Sequence, residues 1–172
     1  FNQFVEADAD KLMARTRNRA FASGALKAGP AWMGVIVGLL AMAVATTWWV
    51  LNGTAALFLF LGAFTYGVVY TVALKRRTWL NIVFGGLAGS FAVLTGAAAA
   101  DPTLGALPLL LALVLFLWTP PHFWSLAIAN CDDYAAAGVP MLPVVVGVPR
   151  AAWVVHVNTI ALVVVSLLPV AF

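Results

Sequence analysis

Between Lys27 and Lys75 the chain carries no ionisable side chain except tyrosine, and between Arg77 and Asp132 its only charge is Asp101. A helix rises about 1.5 Å per residue and needs roughly 20 residues to cross about 30 Å of hydrocarbon, so each stretch is long enough for two spans. At 64% hydrophobic and 9% charged residues over 172 positions, the balance is wrong for a soluble domain and right for a chain whose solvent is largely lipid. The expected fold is all-α, a polytopic transmembrane helix bundle forming one membrane domain over 1–172. Its spans are expected at about 31–50, 54–74, 79–100, 104–129 and 151–171. Asn52-Gly53 and Asp101-Pro102 read as turns between spans. The polar segments 1–27, 75–78 and 130–150 then share the opposite membrane face.

Lys11, Arg15, Arg17, Arg19, Lys27, Lys75, Arg76, Arg77 and Arg150 all fall on that face, and the turns on the other side hold no Lys or Arg. Cations gather in short cytoplasmic loops, so the charged face is expected to be cytoplasmic. The net charge of +3 needs no explanation beyond this orientation rule. The chain begins at Phe1 inside a polar segment and ends at Phe172 inside an apolar run, which reads as the central part of a longer protein. A lone Cys131 excludes an internal disulfide, and neither a CxxCH haem-attachment motif nor a Cys/His zinc cluster occurs.

In the opening segment Asn2, Glu6 and Asp10 stand at i, i+4 and i+8, one stripe on a helix, with Lys11 and Arg15 repeating the spacing beside it and Asp8 on the other side. Such a stripe can be a solvated helix end with internal ion pairs. Beside a membrane, ionisable groups are costly and tend to be functional. Asp132 and Asp133 add a second acidic cluster on the same face. Two carboxylate clusters suit magnesium, which takes hard oxygen ligands and bridges carboxylates to substrate phosphates. The loop Lys75-Arg76-Arg77 suits diphosphate oxygens, and equally an anchor on acidic lipid headgroups.

Pro120-Pro121 are expected to break the fourth span, with His122 at the break, either bonding a freed carbonyl or serving proton transfer or substrate contact. His156 has no companion motif and reads as structural. Most aromatics on the spans, among them Phe64, Phe84, Phe91, Trp118 and Phe123, read as packing or interface residues. Tyr66 and Tyr70, four apart near the charged face, are placed to line a pocket in which a ring face stabilises a carbocation. Gly85, Gly86, Gly89 and Gly96 are expected to permit close helix packing.

These motifs resemble the UbiA superfamily of intramembrane aromatic prenyltransferases. Asn2, Glu6 and Asp10 match N-x-x-x-[DE]-x-x-x-D, followed by MARTRNR. YTVALKRRTWLNIVFGG at 70–86, LWTPPHFWSLAI at 117–128 and DDYAAAGVPMLPVVVG at 132–147 resemble the branch that farnesylates protohaem. Ala20 departs from a proline usual after RTRNR, and Asn130-Cys131 from a basic residue usual before DDY, both near the anion site.

The resemblance implies about nine spans, of which this chain would carry the third to the seventh and be inactive alone. It implies transfer of the farnesyl group of farnesyl diphosphate to a vinyl group of protohaem IX, with water added, giving haem O for terminal oxidases. Haem is then a substrate, and the implied cofactor is magnesium (Mg2+) on Asn2, Glu6, Asp10, Asp132 and Asp133. Asp10, Asp132, Asp133 and His122 become the candidate catalytic residues. Diphosphate would fall to Asn2, Arg15, Arg19, Lys75, Arg76 and Arg77, and the pocket to Tyr66, Tyr70, Trp124 and Tyr134. The implied setting is the bacterial inner membrane, or the mitochondrial one in a eukaryote. Membrane lipids and a haem A synthase are the implied partners, and no nucleic acid is expected.

Other readings stay open. The same scaffold prenylates quinone precursors and chlorophyll-type rings, against which WTPPHFW and DDY argue. A magnesium channel or transporter would need acidic residues along its spans, and these spans have none. A purely structural assembly subunit leaves the acidic and basic clusters on one face unexplained.

Overall fold

The computed structural model describes residues 1–171. Among them no strand occurs, as expected where lipid leaves backbone polar groups no partner outside the segment itself. Two short helices, α1 (Asn2–Val5) and α2 (Ala7–Leu12), precede the spans α3 (Pro30–Val50), α4 (Gly53–Phe64), α5 (Asn81–Ala100) and α6 (Ala106–Ala129). Short helices α7 (Cys131–Ala136) and α8 (Leu142–Val146) lead to the last span, α9 (Val148–Ser166), extended by a 3-10 turn at Leu168–Ala171. Five helices are thus long and apolar enough to cross a membrane. The last begins at Val148, earlier than the sequence suggested. Gly147, at φ +83°, turns the chain into it, and Pro149 fits a first helical turn that has no use for its missing N–H.

The spans form an open row rather than a closed ring, α3 on α4, α4 on α5, α5 on α6 and α6 on α9. α3 buries no residue and α9 only Ala151, so the row's ends offer apolar surface. At one face the Asn52 carboxamide caps α4 by accepting from Ala55 N–H at 2.9 Å and donates to the Ala98 carbonyl at 2.7 Å, tying that turn to the end of α5. In the next turn Asp101 accepts from Thr103 N–H and hydroxyl at 2.9 and 2.6 Å, which holds its carboxyl below its ordinary range.

Three features depart from a plain helical reading. The second span changes from α to π geometry over Thr65–Leu74. There Lys75 N–H reaches the Tyr70 carbonyl, five residues back, and the Thr71 hydroxyl donates to the Tyr66 carbonyl at 2.8 Å. Secondly, Pro120-Pro121 do not break α6, which runs unbroken from Ala106 to Ala129. Both rings are buried in the row, and the Thr119 hydroxyl donates to the Leu115 carbonyl at 2.9 Å beside them, so packing holds the helix where two N–H groups are lost. Thirdly, α2 stops at Leu12 with Met13 extended, so Arg15 does not continue the helical stripe of Lys11.

Small residues set the spacing of α5 and α6. A Cβ on Gly86 would lie 3.2 Å from Thr119 Cβ and one on Gly89 would lie 3.3 Å from Leu115 Cδ2, while the Ser90 hydroxyl donates to the Ala112 carbonyl at 2.8 Å. Gly96 is different: nothing lies within 4 Å of its Cβ position, so it packs against no neighbour.

At the charged face Asn81 is fully buried and donates to the carbonyls of Lys75 and Thr78 at 3.2 and 2.7 Å, pinning the Lys75 loop to α5. Below it Ile82, Trp124, Val139, Met141, Leu142 and Ala151 join α5, α6, α8 and α9 in a core. Asn81→Ala strands both carbonyls, so it is expected to cost about 1–3 kcal/mol. Thermal unfolding in detergent checks this, with Asn130→Ala as the exposed-bond comparison that should stay near wild type.

Candidate functional site

A cavity of about 460 Å³ opens where the three polar segments meet. The amino-terminal segment supplies Asn2, Asp10, Arg15, Thr16 and Arg19, the π-helical segment and its end supply Tyr66, Tyr70 and Lys75, and the segment after α6 supplies Tyr134 of α7 and Met141 just before α8. Its lower walls are Gly85, Gly86 and Gly89 of α5 facing Leu115, Trp118, Thr119 and Phe123 of α6. Polar groups crowd one end and apolar ones the other, the division expected of a site for an amphiphile with an anionic head.

Two buried ion pairs hold the polar end. Asp10 is 1% exposed, and Arg19 Nη1 donates to both its oxygens at 3.0 and 3.1 Å. Thr16, equally buried, donates its hydroxyl to the Asp10 carbonyl at 3.0 Å. Glu6 is 3% exposed and accepts from Lys75 Nζ at 2.5 Å, across 69 residues of sequence. Lys75 Nζ also lies 5.7 Å from the Tyr70 ring centre. Tyr70 stacks on Tyr66 with centroids 5.7 Å apart, and the Asn2 amide approaches the Tyr66 hydroxyl at 3.4 Å. The helical backbone bonds from Asp10 to Glu6 and from Glu6 to Asn2 show why the i, i+4, i+8 spacing delivers all three inward despite a break at Glu6. Asp8 faces away, exposed, where Lys11 bonds it at 2.9 Å and lowers its pKa.

Several sequence candidates lie elsewhere. Arg76 and Arg77 are exposed and do not line the cavity, because the helix ends at Leu74 and only Lys75 keeps the inward direction. Trp124 is 4% exposed within the core below the loop, not in the cavity wall. His122 stacks on Trp118, centroids 4.3 Å apart, and faces an outer groove with Thr159 and Leu162 of α9, since the unbroken helix carries it past the cavity. Asp132 is exposed and Asp133 half-buried on α7; their neighbour Tyr134 lines the cavity but they do not. Thr16, Thr119 and Met141 lie inside the matched motifs without being candidates there, and Leu115 lies outside them; only the fold brings the four to one cavity.

Among the described residues, no three of His, Cys, Asp and Glu lie close enough to share a metal ion. The amino-terminal donors nevertheless fit magnesium in kind. Asn2 Oδ1 is buried without a partner on the wall that also carries the Asp10 carboxylate, both hard oxygens. The Asp132-Asp133 pair does not join that set in this structure.

A family model described as the UbiA prenyltransferase family matches residues 1–172. Among curated relatives, Protoheme IX farnesyltransferase 2 of Paramagnetospirillum magneticum is 60% identical over 172 residues, all of this chain and 60% of the relative. Protoheme IX farnesyltransferase 1 of the same organism is 55% identical over 170 residues, 98% of this chain and 59% of the relative. The Protoheme IX farnesyltransferase of Gluconacetobacter diazotrophicus is 43% identical over 168 residues, 98% and 53%. The chain therefore spans 60% or less of the length of these three. No solved structure matches.

Proposed function

Because this chain belongs to the UbiA prenyltransferase family, we propose that the full-length protein transfers the farnesyl group of farnesyl diphosphate to a vinyl group of protohaem IX, giving haem O and diphosphate. The observation that carries the reading is the two-ended cavity, with Lys75, Arg15 and Arg19 at its polar end and aromatic and glycine walls beneath. The names of the relatives support the choice of donor and acceptor.

In this reading the diphosphate takes over the cations now held by Glu6 and Asp10. As the C1–O bond of the donor breaks, Lys75, Arg15 and Arg19 stabilise the charge that builds on the leaving oxygens, the dominant electrostatic term in such a step. Magnesium on Asn2, Glu6 and Asp10 would add charge neutralisation of the diphosphate there, with Asp132 and Asp133 on the helix whose Tyr134 lines the cavity. The stacked rings of Tyr66 and Tyr70 offer their faces to the allylic cation. The vinyl carbon of the acceptor bonds to C1, the positive charge passes to the neighbouring acceptor carbon, and water adds there and loses a proton. Apolar walls keep water from the cation until the new carbon–carbon bond has formed.

Arg76 and Arg77, exposed beside the mouth, suit acidic headgroups and attraction of the anionic donor. The mouth faces the cytoplasm and the spans lie in the inner membrane. A haem A synthase, using haem O, is the expected partner. Purified full-length protein is tested in vesicles with farnesyl diphosphate and either haem or 4-hydroxybenzoate. A farnesylated, hydrated haem is the expected product, and prenylated hydroxybenzoate instead would replace this reading with the quinone-precursor one.

A further inference from the structure

On the plain α-helical spans Thr95, Thr119 and Thr159 each donate to the carbonyl four residues back. Thr71 donates to the carbonyl five residues back, as the Lys75 N–H does to Tyr70, so side chain and backbone share one wide turn. An α-helix turns about 100° per residue. Five-residue bonds open the turn to about 4.4 residues, roughly 82° each. Counted from Tyr66 at that wide pitch, Tyr70, Thr71 and Lys75 all fall within about 50° and Gly67 about 80° away. The amino-terminal segment docks on this face: the Asn2 amide meets the Tyr66 hydroxyl, Phe1 Cε1 stands 3.5 Å from the Cβ position of Gly67, and Glu6 takes Lys75. Thr71, between these contacts, is buried. At α pitch the same residues would spread over half the helix circumference, with Lys75 about 180° from Tyr66 and Ala73 in its place.

We propose that the wide turn over Thr65–Leu74 selects Lys75, from the run Lys75-Arg76-Arg77, as the cation presented to the diphosphate, and sets its depth. This rests on the prenyl-transfer reading above. Direction comes from the pitch, which returns Lys75 to the side of the helix that carries the stacked tyrosines. Depth comes from the rise: a π-helix climbs about 1.2 Å per residue against about 1.5 Å in an α-helix, so the ammonium sits about 3 Å lower in the cavity. Asn81, donating to the Lys75 carbonyl, fixes where the wide turn ends. Arg76 and Arg77 follow it outward and stay exposed, so one charge of three enters. An ammonium on a flexible stem is a compact charge that can pass from Glu6 to a phosphate oxygen, whereas a guanidinium asks for a planar fork of acceptors.

The same direction and depth can be reached without the wide turn. Deleting Val72 and Ala73 leaves Lys75 seven residues from Tyr66, which at α pitch brings it back to within about 20° of Tyr66 and to the same height of about 10 Å. The test measures the affinity of the full-length protein for farnesyl thiolodiphosphate, an unreactive donor analogue, with magnesium present. Lys75→Ala is expected to weaken binding at least tenfold, the loss of one charge-assisted contact. Adding Ala73→Lys to it should recover nothing, because position 73 faces away at the wide pitch. The two-residue deletion is expected to bind within about threefold of wild type, although in a plain α-helix it would swing everything beyond it by about 160°. Recovery by Ala73→Lys, an unchanged affinity in Lys75→Ala, or a folded deletion protein that no longer binds would each overturn the selection of Lys75 by the wide turn. Should the deletion protein not accumulate, Lys75→Ala with and without Ala73→Lys decides alone. A wild-type protein that does not bind the analogue would overturn the prenyl-transfer reading instead, so the two failures are distinguishable.

Discussion

Asp10→Ala in the full-length protein is expected to lower prenyl transfer by about two to three orders of magnitude, the range typical of losing one preorganised electrostatic group, with membrane insertion unchanged. Asp10 is 1% exposed and holds Arg19 Nη1 through both oxygens. Its removal leaves a guanidinium in a largely dry site without its partner, a change that costs about 3–5 kcal/mol where burial is complete and less here, since the Arg19 side chain is 32% exposed. Two roles then have to be separated. If Asp10 only positions Arg19, the double variant Asp10→Ala/Arg19→Ala should be little worse than either single one, with the loss appearing as a raised KM for the diphosphate. If Asp10 also holds magnesium, the single variant should need more magnesium for half-maximal rate and the double variant should keep that need. Full activity of Asp10→Ala at limiting magnesium would sink the metal assignment.

The spans were legible because lipid enforces them: charge-free length and helix-compatible turns left few other folds. The inward stripe of Asn2, Glu6 and Asp10 was also legible, since i, i+4 spacing carries its geometry with it. Their partners were not. That Glu6 meets Lys75 depends on how α1 docks on the π-helical segment, a tertiary fact absent from local spacing. The π geometry itself has no pattern in the apolar run TYGVVYTVAL and is recognised only from its five-residue hydrogen bonds. The continuity of α6 past His122 is not legible in the sequence, because a Pro-Pro pair signals a break by its intrinsic cost and packing around α6 overrides that cost. Likewise Lys75-Arg76-Arg77 looked like one cationic unit, yet a helix end sends adjacent side chains in different directions. Only Lys75 reaches the cavity.

Gly85 carries the other large expected effect, because it limits how closely α5 can approach the π-helical segment. A Cβ there would stand 2.8 Å from Tyr70 Cδ2 and 3.2 Å from its Cγ, distances that side chains do not tolerate without movement. The obstructed atoms belong to a ring that cannot swing freely, stacked on Tyr66 and flanked by Lys75. Overpacking of this kind costs about 1–3 kcal/mol, and here the displaced ring is a cavity wall. Gly85→Val adds two methyl groups beyond the Cβ, so donor binding is expected to weaken at least tenfold, with Gly85→Ala intermediate. The matched comparison is Gly38→Ala on α3, where nothing lies within 4 Å. There the change should be neutral or stabilising, by up to about 0.5–1 kcal/mol, since glycine is a poor helix former. Thermal unfolding in detergent, together with donor affinity, reads both variants. Equal behaviour of Gly85→Ala and Gly38→Ala would mean that Tyr70 is free to yield. The π-helical segment would then be a compliant wall rather than the fixed one on which the stacked tyrosines depend.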